Sequence, residues 1–126
     1  MTNRTNTIVK LKLAVIAEFS EFPFLQKQMA RDECFVSNNA LKYKRQQIAD
    51  NIADFESAVT EGKDTTADRL TQRIESMEQE LNALTDRHAA DLSVHEQVVG
   101  TKWEASAPKR RPAKRADFSK LKAAVA

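Results

Sequence analysis

The amino-acid sequence predicts a mainly all-α fold: an antiparallel helical hairpin, or coiled coil, with N-terminal helices packed on it and a basic C-terminal tail. Two Gly and three Pro in 126 residues are too few for the many turns of an all-β fold. Apolar residues from Leu70 to Leu84, followed by His88, recur at 4-3-4-3-4 spacing, as in a coiled-coil seam. By length the chain forms one domain, residues 1–106, followed by a tail, residues 107–126.

The first element, residues 8–19, is the most apolar stretch and admits two interpretations. Apolar residues alternate with lysines over residues 8–15, which is a strand pattern. Ile8, Leu11 and Val15 also recur at helical spacing, and Asn6 or Thr7 could cap the helix start. We favour the helix, because a single strand would need a partner's sheet. The stretch is too short to cross a bilayer, so we expect a soluble intracellular protein, cytoplasmic or within a viral particle, without a membrane partner.

The next two helices are separated by polar residues. Pro23 suits the first turn of a helix, which we expect to run to Phe35. The cluster at residues 37–39 (Ser-Asn-Asn) is typical of a helix start or a kink. The first hairpin arm is therefore predicted at residues 38–60. Thr65 or Thr66 should cap the second arm, residues 66–99.

The two arms share a predicted apolar seam. Its members are Ile48, Ile52, Phe55, Val59, Leu70, Ile74, Met77, Leu81 and Leu84. The short loop around Gly62 makes the arms antiparallel, with Leu41 near Leu84. Gly100 should end the long arm. Because that arm overhangs its partner, the N-terminal segments or another chain must cover residues 88–99.

Three polar residues, His88, Asp91 and His95, lie at i, i+3 and i+7 near the end of the long arm. This spacing is a weak candidate for a metal site or for proton transfer. We favour a structural role in which His88 faces the Ser37 region, and we predict no metal and no cofactor. Cys34 is predicted to be a small core residue. The chain lacks a phosphate-binding glycine loop and a nucleophile motif, so we expect neither an enzyme nor a small-molecule substrate.

Charge divides the chain into an acidic body and a basic tail. Residues 46–104 hold 5 basic and 13 acidic groups, a net charge of −8. Residues 107–126 hold seven Lys or Arg and one Asp, a net charge of +6. Five cations suit nucleic-acid phosphates or an acidic protein surface: Lys109, Arg110, Arg111, Lys114 and Arg115.

Apolar residues near the C-terminus suggest a docking segment. Trp103 stands alone, and Asp117 could cap a short helix in which Phe118, Leu121 and Val125 share one face. Such a face could dock into the groove of another subunit.

Three functions are compatible with these features. The first is a non-catalytic structural or assembly protein, of the kind found in a phage-type virion or another complex, which binds a protein partner or itself as an oligomer. The second is an accessory protein that binds nucleic acid through Lys109–Arg115. The third is a small inhibitor or adaptor that presents the acidic hairpin.

Overall fold

A computed structural model describes residues 2–105 and shows three α-helices. They are α1 (Asn3–Ala17), α2 (Pro23–Thr60) and α3 (Asp64–Val99). The predicted all-α fold is confirmed. Residues 8–15 lie within α1, so the strand interpretation is wrong. None of these three helices combines the length and the apolar character needed to cross a membrane.

Helix α1 begins earlier than the sequence predicts. Its cap is Thr2, whose Oγ1 accepts a hydrogen bond from the Thr5 backbone N–H at 3.0 Å, rather than Asn6 or Thr7. At its other end, the Gln26 side-chain amide donates to the Ile16 carbonyl at 2.8 Å. This bond ties the first turns of α2 to the end of α1.

Helix α2 is one uninterrupted helix of 38 residues, which corrects the predicted pair of helices at 23–35 and 38–60. The Ser-Asn-Asn sequence at residues 37–39 lies inside it. The Ser37 side chain is fully buried, and its hydroxyl donates to the Cys34 carbonyl in the preceding turn at 3.4 Å. A serine that bonds to its own helix in this way need not end it.

Helix α3 begins two residues before the predicted start. Lys63 holds the cap position without a side-chain bond, and the predicted caps Thr65 and Thr66 lie within the first turn. The preceding turn uses Gly62 at φ 73°. Gly100 ends the helix at φ 92°, as predicted, in a conformation that favours glycine.

Helices α2 and α3 form the antiparallel hairpin in the predicted register. Ser37 lies opposite His88, and Lys44 Nζ is 2.6 Å from Glu80 Oε2. The buried line on α3 includes Met77, as predicted, and four half-buried members of the predicted seam, Leu70, Ile74, Leu81 and Leu84.

The buried line on α2 differs from the predicted seam. Ile48 is buried and Phe55 is half-buried, but Ile52 is 41% exposed and Val59 is 55% exposed. The line continues at 3-4 spacing through Lys44 and Asn51, which are polar and half-buried. A seam traced only through apolar residues therefore includes Ile52 and Val59, each of which lies one residue away from the buried line.

Helix α1 lies along the second half of α3 and hardly contacts α2. A small apolar core joins the three helices: Val9 and Ile16 from α1, Ala30 from α2, and Ala90 and Val94 from α3. The chain's own N-terminal segments therefore cover the overhanging part of α3. Within residues 2–105, the end near Gly62 consists of α2 and α3 alone.

Matched substitutions one turn apart test this seam. We expect Ile48→Ala to lower the free energy of unfolding by about 2–4 kcal/mol, because it leaves a cavity in the seam. Ile52→Ala should cost less, about 1 kcal/mol, because Ile52 is 41% exposed and its truncation leaves no closed cavity. Urea unfolding followed by circular dichroism measures both values. Equal losses would place Ile52 in the seam after all.

Candidate functional site

Charged and polar side chains meet where the three helices come together, between α1, the first half of α2 and the second half of α3. We call this group the polar cluster. Its members are Lys12, Glu33, Cys34, Ser37, Arg87, His88 and Asp91.

Asp91 is the centre of the polar cluster, and its side chain is completely buried. Lys12 Nζ lies 2.6 Å from Asp91 Oδ1, and Arg87 Nε lies 3.9 Å from Oδ2. Within residues 2–105, neither carboxylate oxygen meets a donor at hydrogen-bonding angles. The buried charge is therefore stabilised mainly by its ionic contact with the Lys12 ammonium group.

Glu33 extends the ion pair towards the surface. Its Oε1 lies 3.6 Å from Lys12 Nζ, and its Oε2 accepts a hydrogen bond from Arg87 Nη2 at 3.2 Å. Two cations thus stand between two carboxylates. The four side chains carry no net charge, which reduces the cost of burying Asp91.

His88 and Ser37 form the polar contact between α2 and α3 that the sequence predicts. Ser37 Oγ lies 2.7 Å from His88 Nδ1. Burial lowers the pKa of His88 below 6.5; Asp91 opposes this shift and Arg45 adds to it. His88 is therefore neutral at pH 7 and accommodates the buried hydroxyl without an added charge.

The polar cluster contains Ser, His and Asp, but they do not form a catalytic triad. In a triad the carboxylate orients the histidine that activates an accessible serine. Here Asp91 contacts Lys12 rather than His88, and Ser37 has no exposed surface. The serine is thus held as a structural contact between two helices.

Cys34 is a buried thiol, as predicted for a small core residue. Its pKa is raised to about 12, mainly by burial; Asp91 and Glu33 contribute to the rise and Lys12 opposes it. Its Sγ donates to the Asp91 carbonyl at 3.3 Å. The protonated thiol therefore acts as a hydrogen-bond donor between α2 and α3 and is a poor nucleophile at neutral pH.

The metal candidate His88, Asp91 and His95 is not assembled in residues 2–105, where no group of three ligands could hold a metal ion. Each side chain has a separate partner. His95 Nδ1 donates to the Thr101 carbonyl at 2.8 Å, which holds the chain after Gly100 against the end of α3.

Trp103 packs against its own chain, and its predicted role in docking a partner stays a prediction. Its ring makes edge-to-face contacts with Phe35 at 5.1 Å and with His88 at 5.9 Å between centroids. The side chain is half-buried and covers the edge of the polar cluster.

An open apolar groove of about 440 Å³ lies between α1 and α2, with α3 as its floor. We call it the α1/α2 groove. Its walls include Leu11 (63% exposed), Val15 (52%) and Val36 (52%). Lys12 and Asp91 also line it, so one face of the polar cluster is the floor of the groove.

The structure describes only part of the site that the sequence predicts. The tail residues Lys109–Arg115, Phe118, Leu121 and Val125 lie outside the described residues. Lys12 is not among the predicted site residues, because the lysines of residues 8–15 have the spacing of polar positions in an alternating stretch. It stands at 3-4 spacing between Val9 and Ile16, and this spacing alone could have marked it as an inward-facing lysine.

Comparison with known proteins adds no residue to this site. No protein-family model matches the chain, and neither does any curated protein or solved structure. The polar cluster and the α1/α2 groove are therefore the features from which a function can be proposed.

Removing the lysine of the ion pair tests the polar cluster. We expect Lys12→Met to lower the free energy of unfolding by about 3 kcal/mol, because Asp91 keeps a buried charge without its nearest cation. The double variant Lys12→Met/Asp91→Leu should recover most of this loss. Lys10→Met, on the exposed side of α1, is the control and should change stability by about 0.5 kcal/mol or less. Equal effects of the two lysine variants in urea unfolding would refute the buried pairing.

Acid should weaken the fold through His88. Its pKa is lower in the folded state than the ordinary 6.5, so the unfolded chain binds this proton more readily. The contribution is fully present above pH 6.5 and is lost as the pH falls below that value. Asp91 and Arg45 are the charged groups that act on it, with opposite signs.

The measurement is urea unfolding from about pH 7.5 to about pH 5.5, above most carboxylate titration. The wild-type chain should lose stability across this range, and His88→Gln should flatten the loss. A profile that is unchanged by His88→Gln would show that another group is responsible.

Proposed function

We propose that this chain is a non-catalytic assembly protein that binds a partner subunit through the α1/α2 groove. The observation that carries the proposal is the set of apolar side chains left exposed on its walls, with Leu11, Val15 and Val36 each more than half exposed. Apolar surface of this kind, next to charged residues, is typical of a protein interaction site. A subunit of a phage-type virion or of another multi-subunit complex has such a role.

The polar cluster supports this role by holding the groove walls in place. Helix α1 contacts α2 at few points, such as the Gln26–Ile16 hydrogen bond, so the spacing of the two walls depends mainly on their contacts with α3. Lys12 holds α1 through Asp91, and Cys34 and Ser37 hold α2 through Asp91 and His88. A groove with fixed walls binds at a lower entropic cost than one that must be ordered.

A second candidate function is nucleic-acid binding through the tail. Its support is the charge of +6 on residues 107–126, with five cations between Lys109 and Arg115. Such a segment attracts phosphates regardless of sequence, and its binding weakens steeply with salt. The third candidate, an acidic hairpin that occupies a basic site, is supported by the −8 charge of residues 46–104, although Glu80 already pairs with Lys44.

A matched pair of substitutions tests the groove. Val15→Asp adds a charge to its wall, and Val59→Asp adds the same charge at a similarly exposed valine near the hairpin tip. Both variants should fold, because each side chain is more than half exposed. In affinity capture from the native host, we expect Val15→Asp to lose the partner that the wild-type chain and Val59→Asp retain, because a buried, unpaired charge opposes association.

Retention of every partner by the folded Val15→Asp variant would refute the groove as the binding surface. The nucleic-acid candidate predicts a different result: salt-sensitive binding of duplex or single-stranded DNA that Val15→Asp leaves unchanged and that neutral replacements of Arg110 and Arg111 weaken.

A further inference from the structure

We propose that the α1/α2 groove is the docking site of the chain's own C-terminal segment, residues 117–126. This inference rests on the proposed function in one respect, namely that the groove is a docking surface. It adds the identity of an occupant, which a partner subunit would have to displace.

Apolar matching is the first support. Phe118, Leu121 and Val125 follow one another at 3-4 spacing, which predicts a single apolar face of a short helix. The groove offers an apolar wall on each side, with Leu11 and Val15 on α1 and Val36 on α2. A short amphipathic helix laid into an apolar groove is a common mode of peptide recognition.

Charge complementarity is the second support. Among the charged residues that line the groove, Lys12, Glu33 and Asp91 belong to the ion-paired group that Arg87 makes neutral, so the unbalanced charge is that of Asp32. Among the described residues, Asp32 contacts only the Gln28 amide, at 2.9 Å, so its charge is available to an incoming cation. The segment itself carries a net charge of +1, and residues 107–116, which lead into it, carry +5. Opposite charges favour the encounter and the orientation of the segment.

The position of the chain end is the third support, and it favours the same chain over a second copy. The ring centroids of Trp103 and Phe35 lie 5.1 Å apart, and Phe35 is adjacent in sequence to the groove residue Val36. The described chain therefore ends at Ala105 within about two helix diameters, or about 20 Å, of the groove. Thirteen peptide steps lead from Ala105 to Phe118, and a chain of that length can reach up to about 45 Å, which exceeds this distance. Such a linker gives an effective concentration in the millimolar range, above that of a second copy in dilute solution.

A partner that uses the groove must then compete with the segment. The chemistry of the groove indicates that such a partner offers a similar surface, a short apolar helix face with flanking cations. In the protein without a partner, the docked segment would cover the apolar residues on the groove walls.

The test uses the full chain with paired substitutions in the tail. Phe118→Asp/Leu121→Asp places two charges on the apolar face of the segment, and Ser119→Asp/Ala123→Asp places the same charges off that face. Methyl NMR spectra report on Leu11, Val15 and Val36 in the groove, and on Val59 as a distant reference.

We expect the first variant to shift the groove methyl signals, because the Phe118 ring leaves them, and to leave the Val59 signal unchanged. The second variant should leave all four unchanged. Groove signals that are the same in the wild-type chain and both variants would overturn the proposal. A wild-type shift that disappears on dilution, with a light-scattering mass that grows with concentration, would also overturn it and would assign the groove to the tail of a second copy.

Failure of this inference is distinct from failure of the proposed function. If the tail does not dock but the groove binds a partner, the groove methyl signals are the same in the wild-type chain and the tail variants, while Val15→Asp still abolishes capture of the partner. If the tail docks but the groove binds no partner, the NMR shifts appear and capture is unaffected by Val15→Asp.

Discussion

The ion pair between Lys12 and Asp91 is the contact on which the arrangement of the three helices depends. Helix α1 packs mainly on α3 and meets α2 at few points, among them the Gln26–Ile16 hydrogen bond and the Lys12–Glu33 contact, so its position is set mainly by α3. Apolar side chains such as Val9 and Ile16 favour contact with α3 but tolerate a shift along it. The buried carboxylate of Asp91 does not tolerate such a shift, because a movement of one helical turn would leave it without its nearest cation. The charge therefore selects one position among several that the apolar core alone would allow.

The sequence predicts most of the fold because the relevant signals are local. The scarcity of glycine and proline, the apolar series from Leu70 to Leu84 and the end of α3 at Gly100 each depend on nearby residues. The predicted break near Ser37 was wrong because a residue typical of a cap can be satisfied inside a helix when a second helix supplies a partner, here His88. That partner is 51 positions away along the chain, beyond any local pattern.

The candidate site was harder to predict for a related reason. The seam of the hairpin passes through polar residues, including Lys44 and Asn51 on α2 and His88 and Asp91 on α3. A search for apolar residues skips Lys44 and Asn51, although their spacing continues the same 3-4 series, and of the four only His88 is predicted from the sequence to face the other arm. The groove has no sequence signature, because Leu11 and Val15 have the same character as core residues. Only the separation of α1 from α2 leaves them in water.

The unequal number of helices along the molecule implies unequal local stability. Among the described helices, α3 packs at one end against both α1 and α2 and a network of charges, whereas near Gly62 it packs against α2 alone. Backbone amides in the two-helix part should therefore open more readily and exchange with solvent faster than those around Ala90 and Val94. Opening would progress from the hairpin tip towards the three-helix junction. The α1/α2 groove thus belongs to the part of the chain that unfolds last, so a partner bound there would be held by the most persistent structure in the molecule.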